Sequence, residues 1–443
     1  MSFCAIDFGT SNSAVMVPRA ATSIAGASGM AGGSLRARDR APGNGRLLDL
    51  VAVEGTASTL PTAIFYHTED GTKEFGRAAV QAYTIGHEGR LLRSLKSILG
   101  SKLIDESTHM GDGIVLRYID LIAAFIRHLK IQAERTRGES IDAVVLGRPV
   151  HFHDDDAAAD AAAEKALALA ARAAGFREVA FQLEPIAAAL DYESQLEDEQ
   201  LVFIADIGGG TSDFSVIRVG PKRAQRLDRG NDVLANDGVH VAGTDFDQRV
   251  EMWGILPLLG YQSKGPTGRE VPSRVYFDLA TWHLINSLYL PRRLAEIEAM
   301  RYFYGEEKMH RRLMQTLRRR LGHALLARAE EAKIKIAEGS SARIEMDDIE
   351  EGLQVSLTGE RVLAALSEPI DAIAKVAERT VKLAGIAPEE VGAIYFTGGS
   401  TGLGFLADRL ARLFPNARPV FGNRFASVVA GLGIHAQRLY QSA

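Results

Sequence analysis

The sequence predicts an α/β protein of two similar lobes, with a helical segment inserted into the second. Strand-like and helix-like stretches alternate along 443 residues, and at roughly 150 residues per domain that length suits two or three domains. An apolar strand, an aspartate, a glycine/threonine turn and a second apolar strand occur at Ala5-Ile6-Asp7-Phe8-Gly9-Thr10-Ser11. They recur more loosely at Ala205-Asp206-Ile207-Gly208-Gly209-Gly210-Thr211-Ser212. The copies lie roughly 200 residues apart, too far for a solenoid repeat and suited to two lobes. A third glycine turn, Thr397-Gly398-Gly399-Ser400-Thr401, follows the apolar stretch Ala393 to Phe396.

Composition narrows the class. With 46% hydrophobic and 24% charged residues the chain is neither collagenous, disordered nor membrane-like. Its 51 basic and 56 acidic residues leave a net charge of −5, which exerts no overall pull on nucleic acid or anionic lipid. The single cysteine, Cys4, rules out an intramolecular disulfide and a multi-cysteine zinc site, fits a reducing compartment, and reads as inert core. Asp7 interrupts the apolar N-terminal stretch and no basic n-region precedes it, so this segment is a strand rather than a leader peptide. No apolar run approaches the roughly 18 residues needed to span a bilayer. The expected location is cytoplasmic, without a membrane partner.

Each element follows from its pattern. Residues 19–46 are rich in Gly, Ala, Ser and Arg without a hydrophobic period, which predicts a long mobile loop. Strand patterning resumes at Leu47 to Val53 and Thr62 to Tyr66. Apolar spacing predicts a helix over 115–136, then a buried strand at Ala143 to Leu146 ending at Gly147-Arg148-Pro149. The Ala-rich stretch 157–174 is a helix, with its start signalled by Asp154, Asp155 and Asp156 and its stop by Gly175. Residues 251–320, with Trp253, Trp282, Tyr302, Phe303 and Tyr304, read as an inserted helical subdomain. Its aromatics fill a local core and leave an exposed subset for a protein partner. A helix at 361–384, the strand and third turn, another helix and a last helix near 425–440 close the chain. The domain expectation is a first lobe at 1–185 and a second at 186–443, with the insertion at about 251–340. His151, His153 and Asp154 to Asp156 read as a charged capping loop rather than a metal cluster. Arg311, Arg312 and Arg318 to Arg320 read as a solvated helix face rather than a nucleic-acid surface.

Glycine turns between strands expose successive backbone N–H groups and lack the Cβ that would block close approach, so they suit phosphate oxygens. Two such turns, each led by an acid and followed by hydroxyls, would grip a phosphate chain from opposite sides. Asp7 and Asp206 would then face a magnesium ion bound mainly through water. No Gly-x-x-x-x-Gly-Lys-Ser/Thr string occurs, which sets P-loop enzymes aside. Gly402-x-Gly404-x-x-Ala407 lacks the following acid of a dinucleotide site.

The order of these segments resembles the actin, sugar kinase and heat-shock ATPase superfamily. Within it the chain resembles the nucleotide-binding domain of DnaK-type heat-shock protein 70 chaperones, and their YegD-like branch. The resemblance covers nearly the whole chain and implies a two-lobed actin-like ATPase fold of duplicated ribonuclease-H-like lobes. By that resemblance Asp7 to Ser13 is the first phosphate loop, with Gly9, Thr10, Ser11 and Asn12 toward phosphate and Asp7 on the magnesium waters. Asp206 to Asp213 is the second loop. There Asp206 is on the metal side, Gly208, Gly209 and Gly210 form the cradle, and Thr211 lies near the γ-phosphate. Lys96, in Leu95-Lys96-Ser97-Ile98-Leu99-Gly100, matches the lysine that orients the attacking water. Glu184, heading Glu184-Pro185-Ile186-Ala187-Ala188-Ala189, matches an acid that reaches the metal waters. Pro149 matches a proline that couples the lobes to nucleotide state.

On the nucleoside side the resemblance implies Gly243 and Thr244 in a hinge segment and Gly398, Gly399 and Ser400 in the nucleoside loop. It also implies Glu330 and Lys333 on the ribose helix. The family's adenine-sandwiching arginines appear here as Ile334 and Gly402, and its base-contacting serine as Ala337. Two cation–π partners worth about 0.5–2 kcal/mol each are thereby absent, which weakens binding by about 1–4 kcal/mol. The implied cofactors are ATP or ADP and Mg²⁺, with K⁺ as a further candidate. The sequence ends at Gln441-Ser442-Ala443 soon after the last helix, which leaves no room for the family's peptide-binding domain. The expected function is slow ATP hydrolysis driving a conformational cycle, with Lys96, Thr10, Thr211 and Glu184 as the catalytic group. The alternative is a non-hydrolysing nucleotide sensor or scaffold, and a third class is a small-molecule kinase of the same superfamily.

Overall fold

The computed structural model describes residues 1–19, 48–99, 104, 106–111, 113–152, 156–423 and 426–441. Nearly all of the expected loop at 19–46, and His153, Asp154, Asp155, Gly100, Ser442 and Ala443, lie outside the described residues. The first large sheet contains β1 (Phe3–Phe8), β2 (Asn12–Pro18), β3 (Leu48–Leu50), β4 (Thr59–Pro61), β10 (Ala143–Arg148) and β11 (Glu178–Leu183). Its order is β11-β10-β1-β2-β3, with β4 also on β2. The second contains β12 (Gln200–Ile207), β13 (Ser212–Val219), β14 (Val233–Val239), β17 (Val391–Thr397) and β18 (Arg418–Phe421) in the order β14-β13-β12-β17-β18.

The two sheets repeat one plan. In each, the first strand in chain order runs antiparallel to the second and parallel to the last but one, and the last runs parallel to the last but one. The register sets Asp7 opposite Ala14 and Asp206 opposite Asp213, so both lead aspartates sit at equivalent strand ends. This two-lobed repeat is the actin-like architecture expected from the paired motifs.

Helices cover both faces. Outside the first sheet pack α2 (Tyr118–Arg137) and α3 (Ala157–Ala173), whose Asp156 accepts hydrogen bonds from the N–H groups of Ala158 and Ala159 as the N-cap. Outside the second pack α6 (Gly243–Val250), α11 (Gly359–Leu383) and α12 (Gly404–Ala411). Between the sheets lie α4 (Glu184–Glu193) and α13 (Ser427–Gln441). They exchange places: α13 follows the second sheet yet packs on β1, β2 and β10, while α4 follows the first sheet and reaches β12 and β13. Small residues permit the crossing, and a Cβ built on Gly431 would stand 1.9 Å from the Ala187 carbonyl oxygen.

Each lobe carries additions above its sheet. In the first these are β5 (Ala63–His67), β6 (Lys73–Phe75), α1 (Gly76–Ile85), β7 (Gly89–Arg93) and the hairpin β8 (Ser107–Gly111) and β9 (Ile114–Arg117). In the second they are α7 (Arg274–Leu279), α8 (Pro291–Glu298), α9 (Glu307–Arg318), α10 (Gly322–Ala337) and the hairpin β15 (Ala342–Glu345) and β16 (Gln354–Leu357). A single turn, α5 (Pro221–Ala224), follows β13. The helix expected over 115–136 begins at Tyr118, because Ile114 to Arg117 alternate in burial and pair with Ser107 to Gly111.

The additions meet across the top of the molecule. The Tyr83 ring stacks on Trp282 at 5.0 Å, the Arg93 guanidinium lies 4.3 Å from the Trp282 ring, and His323 meets both rings edge-on. Within the insertion Tyr276 and Tyr304 are buried, whereas Trp253, Phe277, Tyr302 and Phe303 are exposed. The arginines are engaged with acids or carbonyls: Arg311 and Arg312 pair with Glu350, Arg318 with Glu298, and Arg319 donates to the Asp348 carbonyl. Cys4 is fully buried and its thiol is pushed up by burial.

Candidate functional site

The site forms where the two strand-end turns face each other. A Cβ on Gly209 would lie 2.7 Å from the Ser11 Oγ of the opposite lobe, and one on Gly9 would lie 2.2 Å from the Asn12 carbonyl oxygen. Glycine is required at Gly9, where the contact is with backbone, whereas a side chain at Gly209 would displace the Ser11 hydroxyl. Gly398, at φ +86°, serves the same end: a Cβ there would meet the Ile207 carbonyl at 2.4 Å and Asp206 Oδ1 at 2.6 Å.

Hydroxyls and amides behind the turns hold them. Gly208 N–H donates to the Thr211 carbonyl at 2.9 Å, and Gly243 N–H and Thr244 N–H donate to the carbonyls of Gly208 and Gly209. Ser400 Oγ also donates to the Gly208 carbonyl and Thr244 Oγ1 to that of Gly209, each at 2.8 Å.

Lys96 reaches the site from a 3-10 turn at Leu95–Ile98, anchored by fully buried Leu95. The turn is preceded by Ser94 in the left-handed region at φ 55°, a conformation that costs a non-glycine residue energy and marks a constrained approach. Lys96 Nζ donates to Glu184 Oε1 at 2.5 Å, and both side chains are mostly buried. Glu184 opens α4 with Pro185 behind it, so the helix N-terminus helps hold its charge.

Four carboxylates therefore gather around one lysine: Asp7, Glu184, Asp206 and Asp213. Burial, then Glu184, raises Asp7 to about 7, with Lys96 opposing. Burial, then Asp213, Glu184 and Asp7, raises Asp206 to about 8. Asp213 is also raised, first by burial and then by Glu184 with the Thr211 hydrogen bond opposing, even though the residue keeps exposed surface. Burial lowers Lys96, but Glu184, Asp7 and Asp213 outweigh it and the ammonium is held above its ordinary value. Two carboxyls facing each other across the sheet disfavour joint ionisation, a cost that a cation nearby would offset. Among the described residues no three acid, histidine or cysteine side chains converge to ligate a metal directly. That donor set fits Mg²⁺ held by water and phosphate, with these carboxylates on the water shell.

Asp213 is the acid whose role sequence reading left unassigned. The signal was available: the Gly208–Thr211 bond fixes a four-residue turn, which puts position 213 opposite 206.

The nucleoside-side residues are spread along α6, α10 and the third turn. Lys333 is buried and paired with Asp247 at 2.6 Å, and it donates to the Gly243 carbonyl at 3.3 Å. Glu330 and Ile334 are exposed, Ala337 is half-buried, and Gly399 lies on the surface of the third turn. His151 lines a groove of about 390 Å³ with Arg148, Asp160, Val233 and Asn236, adjoining Glu184 through Leu183.

Comparison with known proteins agrees with this geometry. Residues 52–255 match the family model described as Hsp70 protein. The chain is 31% identical over 221 residues to a protein named "Chaperone protein HscA homolog" from Aromatoleum aromaticum, covering 46% of this chain and 33% of that protein. It is 30% identical over 229 residues to another of that name from Laribacter hongkongensis, covering 45% and 34%. The match thus spans about a third of the length of these relatives. With the duplicated sheets and the paired strand-end turns in place, residues 52–255 of this chain are similar to the Hsp70 family.

Proposed function

We propose that this protein binds ATP with Mg²⁺ between its lobes and hydrolyses it slowly to drive a conformational cycle in a chaperone-type role. One observation carries the reading: two glycine turns from equivalent strand ends abut across a cluster of four acids and one lysine. The metal, when bound, would neutralise phosphate charge and polarise the γ-phosphate. The chain's own contribution is positioning. Backbone N–H groups of Gly9 to Asn12 and Gly208 to Thr211 would orient the phosphates, and the hydroxyls of Thr10 and Thr211 would flank them. Lys96, steered by Glu184, would hold the attacking water and offset developing charge. A cytoplasmic location and membership of the YegD-like branch remain part of this reading. They rest on the single cysteine and the motif resemblance; among the described residues no helix is long and apolar enough to cross a membrane.

The test is calorimetric titration with ATP, ADP and GTP in Mg²⁺ and K⁺, with phosphate release followed in the same samples. Lys96→Ala should lower turnover about 100-fold or more while nucleotide binding persists; equal turnover in the variant removes Lys96 from the chemistry. A second reading, a nucleotide sensor without hydrolysis, is favoured by exposed Ile334 at a base-clamp position, and binding without phosphate release would establish it. The exposed aromatics of the insertion support a protein partner there. Tyr302→Ser with Phe303→Ser should then lose a protein that co-purifies with the wild type, and unchanged co-purification argues against this surface.

A further inference from the structure

We propose that Thr62 is a positioning residue that aims the first phosphate turn and ties it to the lysine turn, an inference that rests on the nucleotide-binding reading above. Thr62 is 2% exposed and follows β4, about 50 residues from the turn it serves. Its Oγ1 donates to the Gly9 carbonyl at 2.7 Å. Because that proton is committed, the 2.9 Å contact with Ser13 Oγ has Ser13 as donor. Its N–H donates to the Ser11 carbonyl at 2.9 Å, and its own carbonyl accepts from Ser94 N–H at 3.2 Å. One buried residue thereby touches three positions of the phosphate turn and the strained residue two before Lys96.

The consequence follows from peptide geometry. In a trans peptide the C=O of one residue and the N–H of the next point in opposite directions. Drawing the Gly9 carbonyl back onto Thr62 therefore turns the Thr10 N–H the other way. The second lobe repeats the device. Ser400 and Gly243 draw back the Gly208 carbonyl and Thr244 draws back that of Gly209, which turns the N–H groups of Gly209 and Gly210 outward. Among the described residues no internal hydrogen bond takes up the N–H of Thr10, Gly209 or Gly210. Two unrelated stretches of sequence thus supply the same carbonyl restraint to the two turns, and Thr62 is the first lobe's version.

The experiment compares Thr62→Val, which keeps shape and removes the donor, with Thr62→Ser, which keeps the donor. Each is titrated with AMP, ADP and ATP in Mg²⁺, alongside thermal unfolding. Thr62→Val should lose about 10-fold or more in ATP affinity while AMP affinity stays within about twofold, and Thr62→Ser should restore ATP affinity. Thr62→Val binding ATP as the wild type does would overturn the inference. So would equal losses for AMP and ATP with a lowered unfolding temperature, because that pattern marks a structural role alone. Wild-type protein that binds none of the three would overturn the nucleotide reading itself, and this inference with it.

Discussion

At the scale of single residues the cleft stores protons. Burial and Glu184 raise Asp7 to about 7, and burial with Asp213, Glu184 and Asp7 raises Asp206 to about 8, so near neutral pH each is partly protonated. Both values lie above those of an unfolded chain, so the native state binds more protons than the unfolded one between the ordinary carboxylate range and about 8. The stability of the unliganded protein should therefore fall as pH rises across that window. Magnesium–nucleotide favours the ionised acids, so its binding should release protons and tighten as pH climbs through about 7 to about 8. Calorimetry in two buffers of different ionisation enthalpy reads this directly. Identical apparent enthalpies at pH near 7 would mean the acids are already ionised.

At the scale of elements, the strands and their turns were legible in the sequence because their chemistry is local. The Asp-x-Gly-Thr and Asp-x-Gly-Gly-Gly-Thr strings name their own turns, and Asp156 caps its helix within three residues. What escaped is what distance hides. Nothing near Thr62 in the sequence announces Gly9, and nothing near Trp282 announces Tyr83. The helix expected over 115–136 takes in Val115 to Arg117 of the strand Ile114–Arg117, because so short an alternation also fits a helical period. The α4–α13 crossing belongs with these non-local features. Gly431→Ala would drive a methyl into the Ala187 carbonyl, a backbone atom that cannot step aside. It should destabilise the protein by about 1–3 kcal/mol, read as a lower urea midpoint at unchanged slope. An unchanged midpoint would show that the two helices can separate without cost.

At the scale of the whole molecule, the lobes touch at the turns, along α4 and α13, and again at the top through Tyr83, Arg93, Trp282 and His323. On the proposed reading, a nucleotide between the turns would be held in place by that upper contact. An aromatic stack and a cation over a ring are together worth about 1–3 kcal/mol, so Trp282→Ala should speed release of a fluorescent ADP analogue roughly 5- to 150-fold. Stopped-flow displacement measures it, and an unaltered rate would mean that release is limited elsewhere.

The exchange of α4 and α13 also bears on how the chain is made. Phe3, Ala5, Ala14 and Met16 belong to strands made long before Ser427–Gln441, the helix that buries their inner face. Until that helix emerges, the first sheet presents an uncovered apolar face. A chain whose residues 52–255 match the Hsp70 model is, at that stage, itself open to capture by a chaperone.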